Sequence, residues 1–206
     1  MKQDREYRSM ELRIQKPEGD EEKNYKVEGY ASTFDSYVLF SDGETEYRER
    51  IEPTAFDGAD LSDVVFRVDH EGPVYARTSA GTVELWTDEH GLGQRADLSR
   101  TQRSRDLYED IAAGNYPKMS FAFTVAEDHY DKATHTRIID RIAKVFDVSP
   151  VSFPANPGTE LSVSTRDYFD GVIEAEKAER LEREERERLK LKIKILKEKS
   201  AWKSKK

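Results

Sequence analysis

The sequence predicts a mainly β fold with helices (α+β) that ends in a long helix. Short segments in which apolar and polar residues alternate recur up to residue 165, and this period of two is typical of half-buried strands. Beyond them, residues 174–206 contain no glycine or proline and are dominated by Glu, Arg, Lys and Leu. We therefore expect a domain over residues 1–165 and a charged helical tail over residues 166–206.

The first domain contains several segments whose alternation and flanking turns predict strands. In chain order they are residues 10–14, 24–33, 47–52, 63–69, 82–87, 93–98, 119–125, 137–148 and 161–164. The fifth and sixth form one predicted hairpin, and the seventh and eighth form another. Residues 150–157 are broken by three prolines. Many strands with one or two helices indicate a barrel or a sandwich with packed helices.

One helix of about three turns is predicted between the two hairpins. Thr101 is suited to cap its N-terminus, and Gly114 occupies the position where a glycine commonly follows a helix. Its apolar stripe consists of Leu107, Tyr108 and Ile111. A helix with one such stripe packs that face against the rest of the domain.

The tail is predicted to be a long, largely solvated helix from about residue 170 to 198. Glu179 and Arg183 form an i,i+4 pair in the favourable order. Residues 190–195 alternate strictly between lysine and apolar side chains, which fits a strand as well as a helix. A solvated tail without a function of its own is as good an interpretation as a tail that has one.

Composition and charge exclude several classes of function. The absence of cysteine excludes disulfide scaffolds, thiolate zinc sites and cysteine nucleophiles. The four histidines form no metal-type pair, so we expect no metal and no cofactor. No apolar run is long enough for a membrane helix, and the N-terminus lacks the apolar core of a secretory signal. These features predict a soluble intracellular protein.

The net charge of −8 is divided unequally along the chain. The tail, residues 166–206, holds 14 basic and 10 acidic residues and carries +4, which leaves −12 for residues 1–165. An acidic body is poorly suited to grip the phosphates of a nucleic acid. A nucleic-acid-binding barrel is therefore disfavoured, although the basic tail could contact an acidic partner.

Three residues are candidates for nucleophilic catalysis. Ser120 belongs to a predicted strand with one apolar face and one small face, which leaves room for a packed helix or for a substrate chain. His70 ends the predicted strand 63–69, on the face of its apolar residues, and is a candidate general base. Asp147 ends a mostly apolar strand and is the most distinctive acid. A serine needs a base, and the base needs an orienting partner, but the spacing of these residues neither supports nor forbids a triad.

A set of landmarks occurs in an order known from one protein family. They are residues 29–34 (GYASTF), His70, residues 80–85 (AGTVEL), 88–92 (DEHGL), 119–123 (MSFAF) and 146–155 (FDVSPVSFPA). Over roughly residues 10–165 the chain resembles the prohead (capsid maturation) serine proteases of tailed phages. The collinear order makes the resemblance more specific than any single motif.

The resemblance implies a serine endopeptidase related in fold to the herpesvirus assembly proteases (assemblin), with a closed β-barrel surrounded by helices. It implies that Ser120 is the nucleophile, His70 the general base and Asp147 the orienting acid, although the family often has Glu at this last position. The implied substrates and partners are the scaffolding protein or the scaffold-like arm of the major capsid protein. The implied location is inside the immature capsid, in the host cytoplasm.

Two further expectations accompany this resemblance. The protease often cleaves itself, and the basic tail is suited to packaging, to self-association or to removal during maturation. The alternative function is a non-enzymatic assembly module, in which the same barrel serves as internal scaffold and Ser120 is a packing residue. A degenerate scaffold would have no reason to keep serine and histidine at both matching positions, and this chain has both.

Overall fold

Ten strands and two α-helices make up the described part of the computed structural model, which covers residues 5–11, 24–152 and 163–203. The strands are β1 (Glu6–Glu11), β2 (Lys26–Thr33), β3 (Tyr37–Ser41), β4 (Glu46–Ile51), β5 (Val65–Val68), β6 (Glu71–Arg77), β7 (Val83–Thr87), β8 (Gly91–Asp97), β9 (Lys118–Asp131) and β10 (Thr136–Val151). The helices are α1 (Gln102–Ala112) and α2 (Val163–Lys203). The strand-rich α+β class predicted from the sequence is therefore confirmed.

The strands form a seven-stranded and a three-stranded sheet. In the larger sheet the order is β1-β9-β10-β4-β3, and β5 pairs with β10 and with β6. Strand β10 is antiparallel to β9 and parallel to both β4 and β5. The smaller sheet has the antiparallel order β2-β8-β7. The closed barrel implied by the family resemblance stays a prediction.

The β9–β10 hairpin is longer than its sequence pattern indicates. Residues 127–136, between the two predicted strands, are rich in charged and polar side chains and predict a turn, but both strands continue until only residues 132–135 connect them. Pairing supports the extension: Arg137 bonds Asp128 and His129 bonds Asp140 across the hairpin. Pro150 was expected to break the chain, yet it lies within β10 and its carbonyl accepts the Asp69 N–H.

Two strands were not predicted, and one predicted strand is partly wrong. Strand β6 contains Pro73, which argues against a strand unless it lies at an edge, and among the described strands β6 pairs with β5 alone. Strand β3 pairs with β4 alone within the same set of strands. For the predicted strand 161–164, residues 161–162 lie outside the described part of the chain, and the remaining two begin α2.

The first helix has the termini that the sequence predicts. The Thr101 hydroxyl accepts the Ser104 N–H at 3.1 Å, and Gly114 follows the helix with a φ of 88°. The apolar stripe on α1 is buried in the hydrophobic core. The core also contains Phe66, Phe121 and Phe123, which are among its largest fully buried side chains.

The chain folds as two compact units, Met1–Ser162, with all the strands and α1, and Val163–Lys206, with α2. The long helix predicted from about residue 170 to 198 is confirmed as α2. Large apolar side chains between Leu181 and Leu196 are exposed on it. Within the described residues, neither helix has the length and apolar content that crossing a membrane requires.

Candidate active site

Ser120 lies on β9, near the start of the strand and at the centre of three paired strands. Its neighbour across β1 is Ser9, and its neighbour across β10 is Ser149. Alternate residues of β9 face opposite sides of the sheet, so Phe121 and Phe123 enter the core while Ser120 faces the other side. Ser120 is only 1% exposed, which means that its face of the strand is also covered.

A β-bulge in β10 turns Asp147 toward the same face as Ser120. Before the bulge Val145 pairs with Phe123, and after it Asp147 pairs with Ala122, so Phe146 is the extra residue. Strict alternation would place Asp147 on the buried apolar face of Val145, because the two are separated by two positions. The bulge shifts the phase by one residue and directs the carboxylate away from the core.

His70 lies in a tight turn and not, as expected, at the end of a strand. Strand β5 ends at Val68 and β6 begins at Glu71, so Asp69 and His70 form a two-residue hairpin turn. Both have positive φ, 47° and 60°, which a type I′ turn requires of its central residues. Residues other than glycine seldom adopt this backbone conformation, and when they do they often lie at functional sites.

Hydrogen bonds hold this turn against the end of β10. The Asp69 N–H donates to the Pro150 carbonyl at 3.1 Å, and the Asp69 carboxylate accepts both the N–H and the hydroxyl of Ser152. Within the hairpin, Arg67 Nη2 donates to the Gly72 carbonyl at 2.6 Å. These contacts fix the backbone from which the His70 ring extends over β10.

The structure brings the three sequence-predicted side chains together. His70 Nε2 is 2.6 Å from Ser120 Oγ, and His70 Nδ1 is 2.6 Å from Asp147 Oδ1. Asp147 is 2% exposed, whereas the His70 side chain is 16% exposed. The aspartate reaches the imidazole although it is one methylene shorter than glutamate. Their catalytic roles stay a prediction.

This arrangement is chemically suited to nucleophilic attack by a hydroxyl. An ionised carboxylate can only accept hydrogen bonds, so Asp147 selects the imidazole tautomer with its proton on Nδ1. His70 Nε2 is then free to accept the Ser120 proton. Among residues 5–11, 24–152 and 163–203, no group of three or more His, Asp or Glu side chains is placed to hold a metal ion.

Two neighbours of the site were not singled out from the sequence. The Tyr7 ring packs edge-on against the His70 ring, with 4.5 Å between centroids. The Ser149 hydroxyl donates to Asp147 Oδ1 at 2.7 Å. Nothing in the sequence indicates that Tyr7 lies near the site, because it is far from His70 along the chain. Ser149 could have been identified, since its spacing of two from Asp147 places both residues on one face of a strand.

Comparison with known proteins gives one match, to a family. No curated protein and no solved structure matches the chain. A family model does match: the model for caudovirus prohead serine proteases covers residues 10–171 of the 206. The matched range includes all of β9 and β10, the turn with His70, and well over half of the chain. The chain therefore belongs to the caudovirus prohead serine protease family.

Proposed function

We propose that the protein is a serine endopeptidase of phage capsid maturation, with Ser120 as nucleophile, His70 as general base and Asp147 as orienting acid. Family membership implies a serine peptidase. The observation that carries the residue assignment is the imidazole of His70, which lies within 2.6 Å of both the Ser120 hydroxyl and the Asp147 carboxylate. A base in contact with both a nucleophile and an orienting group is the signature of this chemistry.

In the proposed mechanism, His70 Nε2 takes the Ser120 proton as the hydroxyl oxygen attacks the scissile carbonyl. The imidazolium that forms is stabilised by Asp147 and then donates its proton to the leaving amine. Water hydrolyses the acyl-enzyme by the same steps in reverse order. Donors to the oxyanion are also needed and are each worth about 3 kcal/mol.

Membership of a prohead protease family supports a site of action inside the procapsid, in the host cytoplasm, among phage capsid components. We propose, more narrowly, that it cleaves the scaffolding protein or the scaffold-like arm of the major capsid protein, and that it cleaves itself. We further propose that its sheets close into a barrel like that of herpesvirus assembly proteases. The tail, with a charge of +4 over residues 166–206, is proposed to dock on scaffold, to support self-association, or to be removed during maturation.

One observation favours a second candidate function. Ser120 is 1% exposed, so a scissile carbonyl reaches its hydroxyl only when neighbouring groups move aside. A non-enzymatic assembly module would need no such movement, and its serine would be a packing residue. The contacts of His70 with both Ser120 and Asp147 support the protease function. Packing of a serine would not by itself require a buried carboxylate in contact with His70.

The test is co-expression of the full chain with the major capsid protein of the same phage, followed by intact mass spectrometry. We expect the wild type to shorten the capsid protein or its own chain, and Ser120→Ala to shorten neither. His70→Ala should abolish cleavage, and Asp147→Asn should slow it by about a thousandfold or more. If the wild type leaves every chain at full length while shells assemble, the scaffold function is the correct one.

A further inference from the structure

Besides His70, the Ser149 side chain contacts the Asp147 carboxylate. It lies two positions after Asp147 on β10, and its side chain is fully buried, with 0% exposure. Its hydroxyl donates to Asp147 Oδ1 at 2.7 Å, and the same oxygen is 2.6 Å from His70 Nδ1. A single carboxylate oxygen thus receives both contacts.

The two donors to this oxygen reach it from different parts of the fold. His70 comes from the hairpin turn between β5 and β6, whereas Ser149 belongs to the same strand as Asp147. Pairing across β9 fixes Ser149 opposite Ser120 and Asp147 opposite Ala122. The hydroxyl is therefore a fixed point from which the carboxylate can be oriented, independently of where the turn lies.

The carboxylate needs such a restraint. The terminal torsion of an aspartate is broad, and a carboxylate that rotates would not keep one oxygen directed at the imidazole. A hydrogen bond to a charged group is stronger than one between neutral groups and gains further strength away from water. A buried serine would otherwise carry the desolvation cost of an unsatisfied hydroxyl.

We propose that Ser149 is a positioning residue of the active site, which acts by holding Asp147 Oδ1 toward His70 Nδ1. This inference rests on the proposed function. Ser149 takes no part in proton transfer and acts on the nucleophile through Asp147 and His70. The bulge at Phe146 serves the same end, since it places both Asp147 and Ser149 on the face of Ser120.

The test measures the rate at which a small alkyl fluorophosphonate modifies Ser120 in the full chain, followed by intact mass spectrometry. In this reaction the Ser120 oxygen bonds to phosphorus, fluoride leaves, and His70 takes the proton, so the rate reports on the base and its orientation. We expect Ser149→Ala to lower this rate about tenfold. Ser149→Cys, which keeps the shape but donates weakly, should lower it to a smaller extent.

A double-mutant cycle separates positioning from a general structural effect. If Ser149 acts through Asp147, then Ser149→Ala should have no further effect on the rate in the Asp147→Ala background. A structural role would lower the rate in both backgrounds. The matched control is Ser104→Ala on α1, which removes another buried serine hydroxyl, one that donates to the Tyr75 carbonyl, and should leave the rate at the wild-type value.

The outcomes distinguish this inference from the proposed function. If wild type is modified at Ser120 and His70→Ala is not, the protease assignment holds. An unchanged rate in Ser149→Ala and Ser149→Cys would then overturn the positioning role by itself, as would an equal loss in the Asp147→Ala background. If wild type is not modified at all, the proposed function fails and the positioning role fails with it.

Discussion

At the scale of single residues, the position of His70 depends on a backbone that few residues adopt. Asp69 and His70 both have positive φ, and a strained conformation persists only when surrounding contacts hold it. The contacts described for Asp69 run to Pro150 and Ser152 at the end of β10. The same strand therefore supplies the orienting acid and anchors the turn that carries the base.

We predict that Asp69→Ala weakens catalysis without removing any of the three reacting groups. The substitution removes the acceptor for Ser152. It also puts alanine at a position with positive φ, a backbone conformation that glycine, asparagine and aspartate adopt more readily. Modification of Ser120 should slow about tenfold, since the loss of the hydrogen bonds from Ser152 to the Asp69 carboxylate loosens the turn. The fluorophosphonate rate measures this effect. Asp69→Asn, which keeps an acceptor oxygen and tolerates positive φ, is the control and should retain most of the rate.

At the scale of elements, the helix α1 shows how local sequence defines an element without tertiary help. Its N-cap, its apolar stripe and the glycine after it were all readable from the sequence, and Thr101 makes the predicted capping bond. The β10 strand behaves differently. Its bulge at Phe146 is defined by pairing with β9, and the residue types in that segment do not predict a bulge.

For α1 we predict that Thr101→Ala lowers the free energy of unfolding by about 1 kcal/mol. The substitution leaves one of the N–H groups of the first turn without its acceptor. Urea denaturation followed by circular dichroism measures the change. Thr101→Ser keeps the hydroxyl and should be close to wild type; if both variants lose the same stability, the capping bond is not the cause.

At the scale of the whole molecule, a buried ionic cluster joins three strands that are far apart along the chain, β1, β4 and β10. Arg8 of β1 and Arg137 of β10 each donate hydrogen bonds to two carboxylates, those of Glu6 on β1 and Glu49 on β4. All four side chains are buried. Burial lowers the pKa of Arg8 and of Arg137, but the surrounding carboxylates and the hydrogen bonds to them outweigh it and hold both pKa values above the ordinary one. Strand β1, which flanks the strand of Ser120, is thereby tied to the middle of the sheet.

We predict that Glu49→Ala destabilises the protein by about 3–5 kcal/mol, because it removes a buried carboxylate that two buried guanidinium groups, those of Arg8 and Arg137, share. Urea denaturation measures the loss. The matched control is Glu127→Ala, which breaks an exposed pair with Arg141 and should cost no more than about 1 kcal/mol. Similar losses of unfolding free energy in the two variants would mean that burial does not increase the contribution of the cluster to stability.

The stability of the protein at acid pH should also depend on one carboxylate in a surface turn, that of Asp88. Hydrogen bonds from the Tyr30 hydroxyl and from the His90 N–H lower the pKa of Asp88 to about 2. Because the pKa is lower in the folded than in the unfolded state, Asp88 stabilises the fold above about pH 4. This contribution is lost as the pH falls through 4 toward 2. The Asp88→Asn variant should therefore lose less stability than wild type over that interval, measured by urea unfolding at each pH.

A control in the same turn separates this effect from a change in net charge. Glu89→Gln removes one negative charge next to Asp88 and should leave the acid dependence of stability as in the wild type. An equal change in both variants would contradict the assignment to the hydrogen-bonded carboxylate of Asp88.

Much of the fold and the family could be predicted from the sequence. Period-two alternation predicted most strands, and the order of landmarks predicted the family that the family model confirms over residues 10–171. The same landmarks drew attention to Ser120, His70 and Asp147. These signals are local or collinear, so one chain read from end to end contains them.

The tertiary structure decided what depends on contacts between distant segments. It placed His70 in a turn, shifted the phase of β10 at Phe146, and put the Ser149 hydroxyl on Asp147. Alternation within a segment cannot reveal a bulge, because the extra residue is defined only against the partner strand. The sequence thus determined which residues were available for the chemistry. The pairing of β9 with β10, and of β10 with the β5–β6 hairpin, decided whether these residues meet, because His70, Ser120 and Asp147 are far apart along the chain.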